Sequence, residues 1–319
     1  MNADFTGIRI VSTGVCFPKG KIQNHQLPTE AHVPDGAMQR FHASREETAV
    51  WMGSTAAKQA LAEAARTSIE HSHSSATGVD GIISFSGMPD FEYPKDVVLI
   101  QKELGLTKVP CWSIDTACAS FLTSLQFAEA LVRTGRHKRL LIVTTMNWSS
   151  RGMPLSGSAV GDGAAAAVVE SSPENSLLAT VEKTHSEYFD FIRLGSPFVD
   201  KPVPFEFSND AAIGRFFATK STEPATEALQ KAQIDPLKID HFIAHQTGKK
   251  MLQIWAKRIG IPQEKILDTF ELFGNMSAVN IPATLHHFTM IHPRIKRGDT
   301  LLLFAPGAGL HLAATVWKF

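Results

Sequence analysis

The sequence holds no Cys-x-x-Cys pair, and its three cysteines, Cys16, Cys111 and Cys118, cannot all be joined to one another. A zinc centre built on cysteine is thereby disfavoured, and a chain this long needs no disulfide framework to hold a core together. A reducing, cytoplasmic setting is the expected one. Neither charge is in excess: Lys+Arg and Asp+Glu number 31 each, so no general attraction to nucleic acid or to an anionic membrane surface is implied. No run of about 18 apolar residues is available to span a bilayer. The stretch from Met1 to Ile10 carries Asp4 and Arg9 and lacks the basic-then-apolar order of a secretory signal, so none is expected. No G-x-x-x-x-G-K-[ST] or G-x-S-x-G occurs, which removes support for P-loop phosphoryl transfer and for a serine nucleophile elbow. Among the 13 histidines, His71-x-His73 and His286-His287 have no third ligand at helical or hairpin spacing, and ordinary surface or capping roles are expected of them.

What is present is a globular composition, 44% hydrophobic and 19% charged over 319 residues, enough for one large domain or two ordinary ones. The first half alternates strand-like and helix-like segments. "GIRIVSTGVCFP", "DGIISFSG", "CWSIDTA" and "RLLIVTTM" read as strands. "ETAVWMGSTAAKQALAEAA", "KDVVLIQKELG" and "CASFLTSLQFAEALVRTG" read as helices between them. "GDGAAAAVVE" has the glycines of a dinucleotide loop but continues as a strand, so the helix N-terminus that would cradle a pyrophosphate is missing.

The second half repeats the order: "SLLATVEKTH" as strand, an irregular excursion over 186–209, "TKSTEPATEALQKAQI" as helix, "IDHFIAHQ" as strand, "GKKMLQIWAKRIG" and "SAVNIPATLHHFTMI" as helices, and two closing strands. Such alternation predicts sheets covered by helices on both faces. Asp80 to Cys118 spans 38 residues and Asp240 to Asn275 spans 35, which would place Cys118 and Asn275 at related positions, each at the mouth of a central helix.

Free cysteine is often a buried apolar filler, and composition alone favours that use for Cys118. Its setting argues otherwise: it lies between a strand and a helix, where the helix dipole and unpaired N–H groups lower a thiol pKa, and its neighbours Ala117, Ala119 and Ser120 are small. Cys16 and Cys111 lack this setting and are expected to be structural. His245 ends an apolar strand; a structural hydrogen-bonding role is its plain use, and an imidazole aimed at a developing oxyanion the sharper one. Asn275, after Gly274, is by ordinary preference a turn or N-cap residue, or else a fixed amide donor beside the cysteine and histidine.

Taken in order, "DTACASF", "GDGAAAAVV", "IAHQT", "FGNMSAVNIPATL" and "APGAGLHLAATVWKF" resemble the ketoacyl-acyl carrier protein synthase III family of the thiolase superfamily, over nearly the whole chain. The resemblance implies an α/β fold, thiolase-like and layered α-β-α-β-α, built from two duplicated βαβαβαββ halves. Residues 1–172 would carry the nucleophilic cysteine and 173–319 the histidine and asparagine. It implies Cys118 as the acyl-accepting nucleophile, His245 and Asn275 as the groups that hold a malonyl-type enolate, and the backbone N–H groups of Cys118 and Ala308 as the oxyanion hole. No metal or redox cofactor is implied. The substrates would be acyl-CoA or acyl carrier protein thioesters, and the assembly a homodimer, with Tyr93 as an aromatic gate to the partner's acyl pocket.

Departures from the family pattern are clear. Gln246-Thr247-Gly248-Lys249-Lys250 replaces the usual Gln-Ala-Asn and basic residue, with Lys250 keeping the positive charge. "MQRFHASREE" replaces the CoA-gripping tryptophan and Thr-Gly-Ile stretch, leaving Arg40 and Arg151 as candidate phosphate contacts. Leu312-Ala313 stands for tryptophan-glycine. The expectation is decarboxylative Claisen condensation in the biosynthesis of a natural product or an unusual acyl precursor. The alternatives are the housekeeping initiation of fatty acid synthesis, acyl transfer to a hydroxyl or amine without decarboxylation, and a non-catalytic partner subunit.

Overall fold

The computed structural model describes residues 7–26, 38–70, 78–152, 159–194, 206–207 and 211–319. His71 and His73 lie outside these residues, as does much of the 186–209 excursion.

Two sheets form the frame. In the first, β1 (Gly7–Cys16), β4 (Gly81–Gly87), β5 (Cys111–Ser113), β6 (Arg139–Met146) and β7 (Gly163–Ser172) lie in the order β1-β7-β6-β4-β5. The β1-β7 and β7-β6 pairs are antiparallel, and β6, β4 and β5 run parallel. In the second, β8 (Leu177–Thr184), β11 (His241–Ala244), β12 (Thr300–Gly307) and β13 (His311–Lys318) lie in the order β8-β13-β12-β11, again two antiparallel pairs and then a parallel one. The place of β5 is taken by a single parallel bridge from Phe242 to Ile266. A small hairpin of β2 (Gly20–Gln23) and β3 (Gln39–His42) and a two-residue pair, β9 (Ile192–Arg193) with β10 (Glu206–Phe207), complete the strands.

The layering follows from residues that alternate between two apolar environments. Every position of β6 is buried because both faces of its sheet are covered. Leu140 and Ile142 face inward with Leu301 and Leu303 of β12, around Phe121, Leu122 and Leu125 of α3 (Ser120–Arg133) and Ile281 and Leu285 of α8 (Asn280–His286). Leu141 and Val143 face outward, against α1 (Ala49–Glu70) and α2 (Asp96–Glu103). Leu302 and Phe304 face the opposite outer layer, α5 (Glu223–Ala232) and α6 (Lys249–Ile259). The order is helix, sheet, helix, sheet, helix. The alanines of α1 allow close approach to β1, where Ser12 Oγ donates to the Ala60 carbonyl at 2.7 Å.

The sequence expectations place most elements correctly, with three corrections. The strand "CWSIDTA" ends at Ser113; beyond it Ile114 N–H donates to Ser84 and the chain turns. A helix not anticipated, α4 (Ala211–Thr219), precedes α5, and a one-turn helix, α7 (Phe270–Phe273), precedes Gly274. His286 and His287 are buried core residues and not surface groups: His286 Nδ1 lies 3.0 Å from Thr13 Oγ1, and His287 packs against Phe273, Phe288 and His292.

Candidate active site

The mouths of α3 and α8 are built alike. Ala117 and Ser277 both take left-handed backbone, at φ 51° and 54°, and each opens a short 3₁₀ turn before its helix. Asp115 Oδ1 accepts from Ala117 N at 2.9 Å, and Asn275 Oδ1 accepts from Ser277 N at 2.9 Å. Ser120 Oγ accepts from Thr116 N, and Asn280 Oδ1 accepts from Met276 N, both at 2.9 Å. Asp80 and Asp240 anchor the two halves in a similar way: each accepts from the N–H that opens the neighbouring strand, Arg139 at 3.3 Å and Thr300 at 2.8 Å, and Asp80 also accepts from Lys138 N at 2.7 Å. Asp80 to Asp115 and Asp240 to Asn275 are both 35 residues. The structural partner of Asn275 is therefore Asp115, and that of Cys118 is Ala278. The expected equivalence of Cys118 with Asn275 is corrected by three positions.

Cys118 is half-buried at the start of α3, and Ser277 Oγ donates to its Sγ at 3.3 Å across the two mouths. The third wall is the turn after β12. A Cβ on Gly307 would lie 2.8 Å from Thr116 O and 3.1 Å from Cys118 N, so only glycine lets this turn come so close. Backbone hydrogen bonding from Ala308 reaches Cys118 here. The backbone groups of Cys118 and Ala308 both act on the sulfur in the direction that favours the thiolate.

Asn275 is placed by backbone on both sides: its N–H donates to Ala159 O at 2.7 Å, and its carbonyl accepts from Gly161 N at 2.9 Å. Gly274 before it, at φ 67°, would press a Cβ 2.5 Å from Ala159 O. With Oδ1 taken by Ser277, the NH₂ group is what the side chain has left to donate. His245 follows β11 and is buried, 3% exposed, its N–H bonded to Phe304 O. Burial lowers its pKa to about 4, against the opposing effect of hydrogen bonds with the Asn280 side chain and the Ser277 backbone. Among the described residues its Nδ1 has no hydrogen-bond partner.

The thiol differs from expectation. Burial pushes Cys118 above its ordinary value, and the Asp115 charge adds to this; the Ser277 hydroxyl and the Cys118 and Ala308 backbone groups pull downward without prevailing. The resting site is thus a neutral thiol and a neutral imidazole, not an ion pair. Cys16 is a buried structural thiol, pushed up to about 11 by burial.

The remaining candidates are not gathered here. Arg40 is wholly buried, its Cβ about 3.3 Å from where a Gly274 Cβ would stand, so it is no surface phosphate contact. Lys250 lines an outer groove of about 600 Å³ with Leu237, Ile254, Lys257 and Pro262, apart from Cys118. Arg151 pairs with Glu92 at 3.2 Å, beside Tyr93, which is 84% exposed with Lys95 Nζ 5.1 Å from its ring centre. Ser277, Asn280 and Gly307 were not singled out from the sequence. The equal 35-residue spacings carry the signal for the first two. Among the described residues, no group of three or more His, Cys, Asp or Glu is placed to hold a metal, and no helix is long and apolar enough to cross a membrane.

Five layers of this order, with a cysteine where a central helix begins, agree with the layered thiolase-like fold that the resemblance implies. Comparison with known proteins narrows this. Family models for 3-oxoacyl-[acyl-carrier-protein (ACP)] synthase III match residues 113–186, and for its C-terminal part residues 229–319, together more than half of the chain. A beta-ketoacyl-[acyl-carrier-protein] synthase III of Coxiella burnetii (strain CbuK_Q154) is 29% identical over 321 residues, covering 98% of this chain and 99% of the relative. The crystal structure of 3-oxoacyl-[acyl-carrier-protein] synthase III from Aquifex aeolicus VF5 superposes with a TM-score of 0.83 at 27% identity, covering 98% and 100%. That of the Pseudomonas aeruginosa PAO1 protein, at 21% identity, 98% coverage of each chain and TM-score 0.85, shares the fold. The chain belongs to the 3-oxoacyl-[acyl-carrier-protein] synthase III family and is a condensing acyltransferase.

Proposed function

We propose that Cys118 takes an acyl group from a CoA or carrier-protein thioester and passes it to the carbanion of a malonyl-type or β-ketoacyl thioester. The observation that supports this most is the meeting of Cys118 with two elements of the other half, Ser277 at its sulfur and the Gly307-Ala308 turn at its N–H. In the first step the sulfur bonds to the acyl carbon, the thioester C–S bond breaks, and the thiol proton leaves with the departing thiolate. The backbone N–H groups of Cys118 and Ala308 hold the transient oxyanion. In the second, the malonyl-type thioester loses carbon dioxide. Its enolate oxygen is held by His245 and the Asn275 amide, its carbon attacks the acyl carbon, the acyl C–S bond breaks, and the Cys118 thiolate takes a proton from solvent to restore the resting thiol. A His245 that is neutral at pH 7 suits this step, because it can stay uncharged while donating to an oxyanion.

The protein works as a homodimer in the cytoplasm on acyl-CoA or acyl carrier protein substrates. Gly248 in place of the family asparagine and Leu312-Ala313 in place of tryptophan-glycine favour a specialised acyl precursor over fatty acid initiation. The test is intact-mass measurement after exposure to a panel of acyl-CoAs, then addition of malonyl-thioester. Acyl on Cys118, absent from Cys118→Ala, followed by carbon dioxide release is expected. Acylation with no condensation would sink the proposal, and leave transfer to a hydroxyl or amine.

A further inference from the structure

The two N–H groups proposed to hold the oxyanion, those of Cys118 and Ala308, come from segments far apart in the chain, one at the mouth of α3 and one in the turn between β12 and β13. Their separation sets the width of the oxyanion pocket. A set of side chains outside the Cys118, His245 and Asn275 group connects these two segments. Thr116, two residues before Cys118, has Oγ1 2.8 Å from Thr123 Oγ1 on the first turn of α3. Thr123 Oγ1 donates to Glu182 Oε1 on β8 at 2.7 Å. The same Oε1 lies 3.8 Å from His311 Nε2, a contact too long for a hydrogen bond, and Nε2 has no hydrogen-bond partner among the described residues. His311 pairs across the β12-β13 hairpin with Gly307, next to Ala308, and with Thr184 of β8, whose Oγ1 is 2.9 Å from His311 Nδ1 and so turns Nε2 toward Glu182.

We infer that Glu182 is a positioning residue that holds the Cys118 and Ala308 segments at the spacing an oxyanion requires, hydrogen-bonded to one through Thr123 and set against the other by the pairing of its strand with β13 and by the 3.8 Å contact with His311. Burial alone would raise this carboxyl; His311 and Thr123 hold it below its ordinary value, so it is a charged acceptor at neutral pH. A carboxylate on the inner face of a strand, at a β8 position that borders the central helix layer, is an expensive choice unless its partners need it. Here those partners are the supports of the two N–H donors. Loss of the strut would let the donors drift, and displacement of about 1 Å in such a site costs on the order of 100-fold in rate.

This inference rests on the reading of Cys118 as an acyl-accepting nucleophile, and the experiment separates the two. Acylation by a thioester passes through a tetrahedral oxyanion. Alkylation by iodoacetamide displaces iodide at a saturated carbon and forms none. Both rates are measured on Cys118 by intact mass for wild type, Glu182→Ala, Glu182→Gln and Thr123→Val, with thermal unfolding to establish that each variant is folded. A wild type that is alkylated but never acylated refutes the nucleophile reading itself. If wild type is acylated, Glu182→Ala and Thr123→Val should slow acylation tenfold or more while alkylation stays within twofold. Glu182→Gln, which keeps an acceptor for Thr123, should recover most of the acylation rate. Equal slowing of both reactions, or unchanged acylation in the folded Thr123→Val and Glu182→Ala proteins, would overturn the positioning role.

Discussion

Asp115 and Asn275 are one residue used twice: each turns its side-chain oxygen onto the backbone N–H two positions ahead, at 2.9 Å, to hold a left-handed residue at the mouth of a central helix. In one half the oxygen belongs to a carboxylate and in the other to an amide. That difference adds to the effect of burial, which is the main cause of the raised Cys118 pKa: the charge of Asp115 raises it further, whereas Asn275 brings a donor and no charge.

Asp115→Asn should therefore keep the turn and remove the charge. The thiolate is then easier to form, and the pH midpoint of iodoacetamide alkylation at Cys118 should move down. An unmoved midpoint in a protein of unchanged melting temperature would show that the charge of Asp115 is screened from the sulfur.

Ser277→Ala should move the same midpoint in the opposite direction. The hydroxyl that donates to Cys118 Sγ at 3.3 Å favours the thiolate, and without it the thiol holds its proton to higher pH. Alkylation at pH 7 should slow. A faster reaction would contradict the assigned direction of that hydrogen bond.

His245 should make the protein acid-sensitive. Its unfolded imidazole takes a proton near pH 6.5 and its folded one only near pH 4, so between these values the unfolded state binds more protons. The stabilisation is complete above about pH 6.5, declines as pH falls, and is lost below about pH 4, a change of roughly 3 kcal/mol. Urea unfolding at pH 7.5 and 4.5 should give a steeper loss for wild type than for His245→Asn. Parallel losses would mean that this histidine is not held neutral by burial.

Gly307→Ala should injure acylation more than folding. Its Cβ would press on Thr116 O and Cys118 N, at 2.8 and 3.1 Å, and force the turn away from the cysteine. Thioester acylation should fall about 100-fold, for a stability loss of about 1–3 kcal/mol. Acylation within twofold of wild type would show that the turn can shift without changing the pocket.

The chain's local chemistry was legible from the residues themselves. Short continuous apolar runs at β4, β6 and β12, the alanine face of α1 and the glycine stop at Gly135 specify their elements because they reflect neighbours within a few residues. The same holds for Cys118 at a strand-to-helix junction and for the two-half order of elements. The helix α4 is short and follows the irregular excursion directly, so the Ser208-Asn209-Asp210 run before it reads as the end of that excursion and not as a helix start.

What the sequence could not decide depends on atoms brought together from distant positions. Arg40 looked like a surface cation, but packing of β3 beneath Gly161 and Gly274 buries it. The thiol was expected to be lowered by its helix, and burial between two sheets outweighs that, since desolvation is set by all surrounding layers and a helix terminus by one. The repeat register was ambiguous by three residues until the hydrogen bonds of Asp115 and Asn275 fixed it. The sequence by itself determined which segments become strands and helices, and that a cysteine stands at a helix mouth. Only the tertiary structure decided what that cysteine meets, because Ser277, Ala308 and the Glu182 strut reach it through folded space across more than 60 residues of chain.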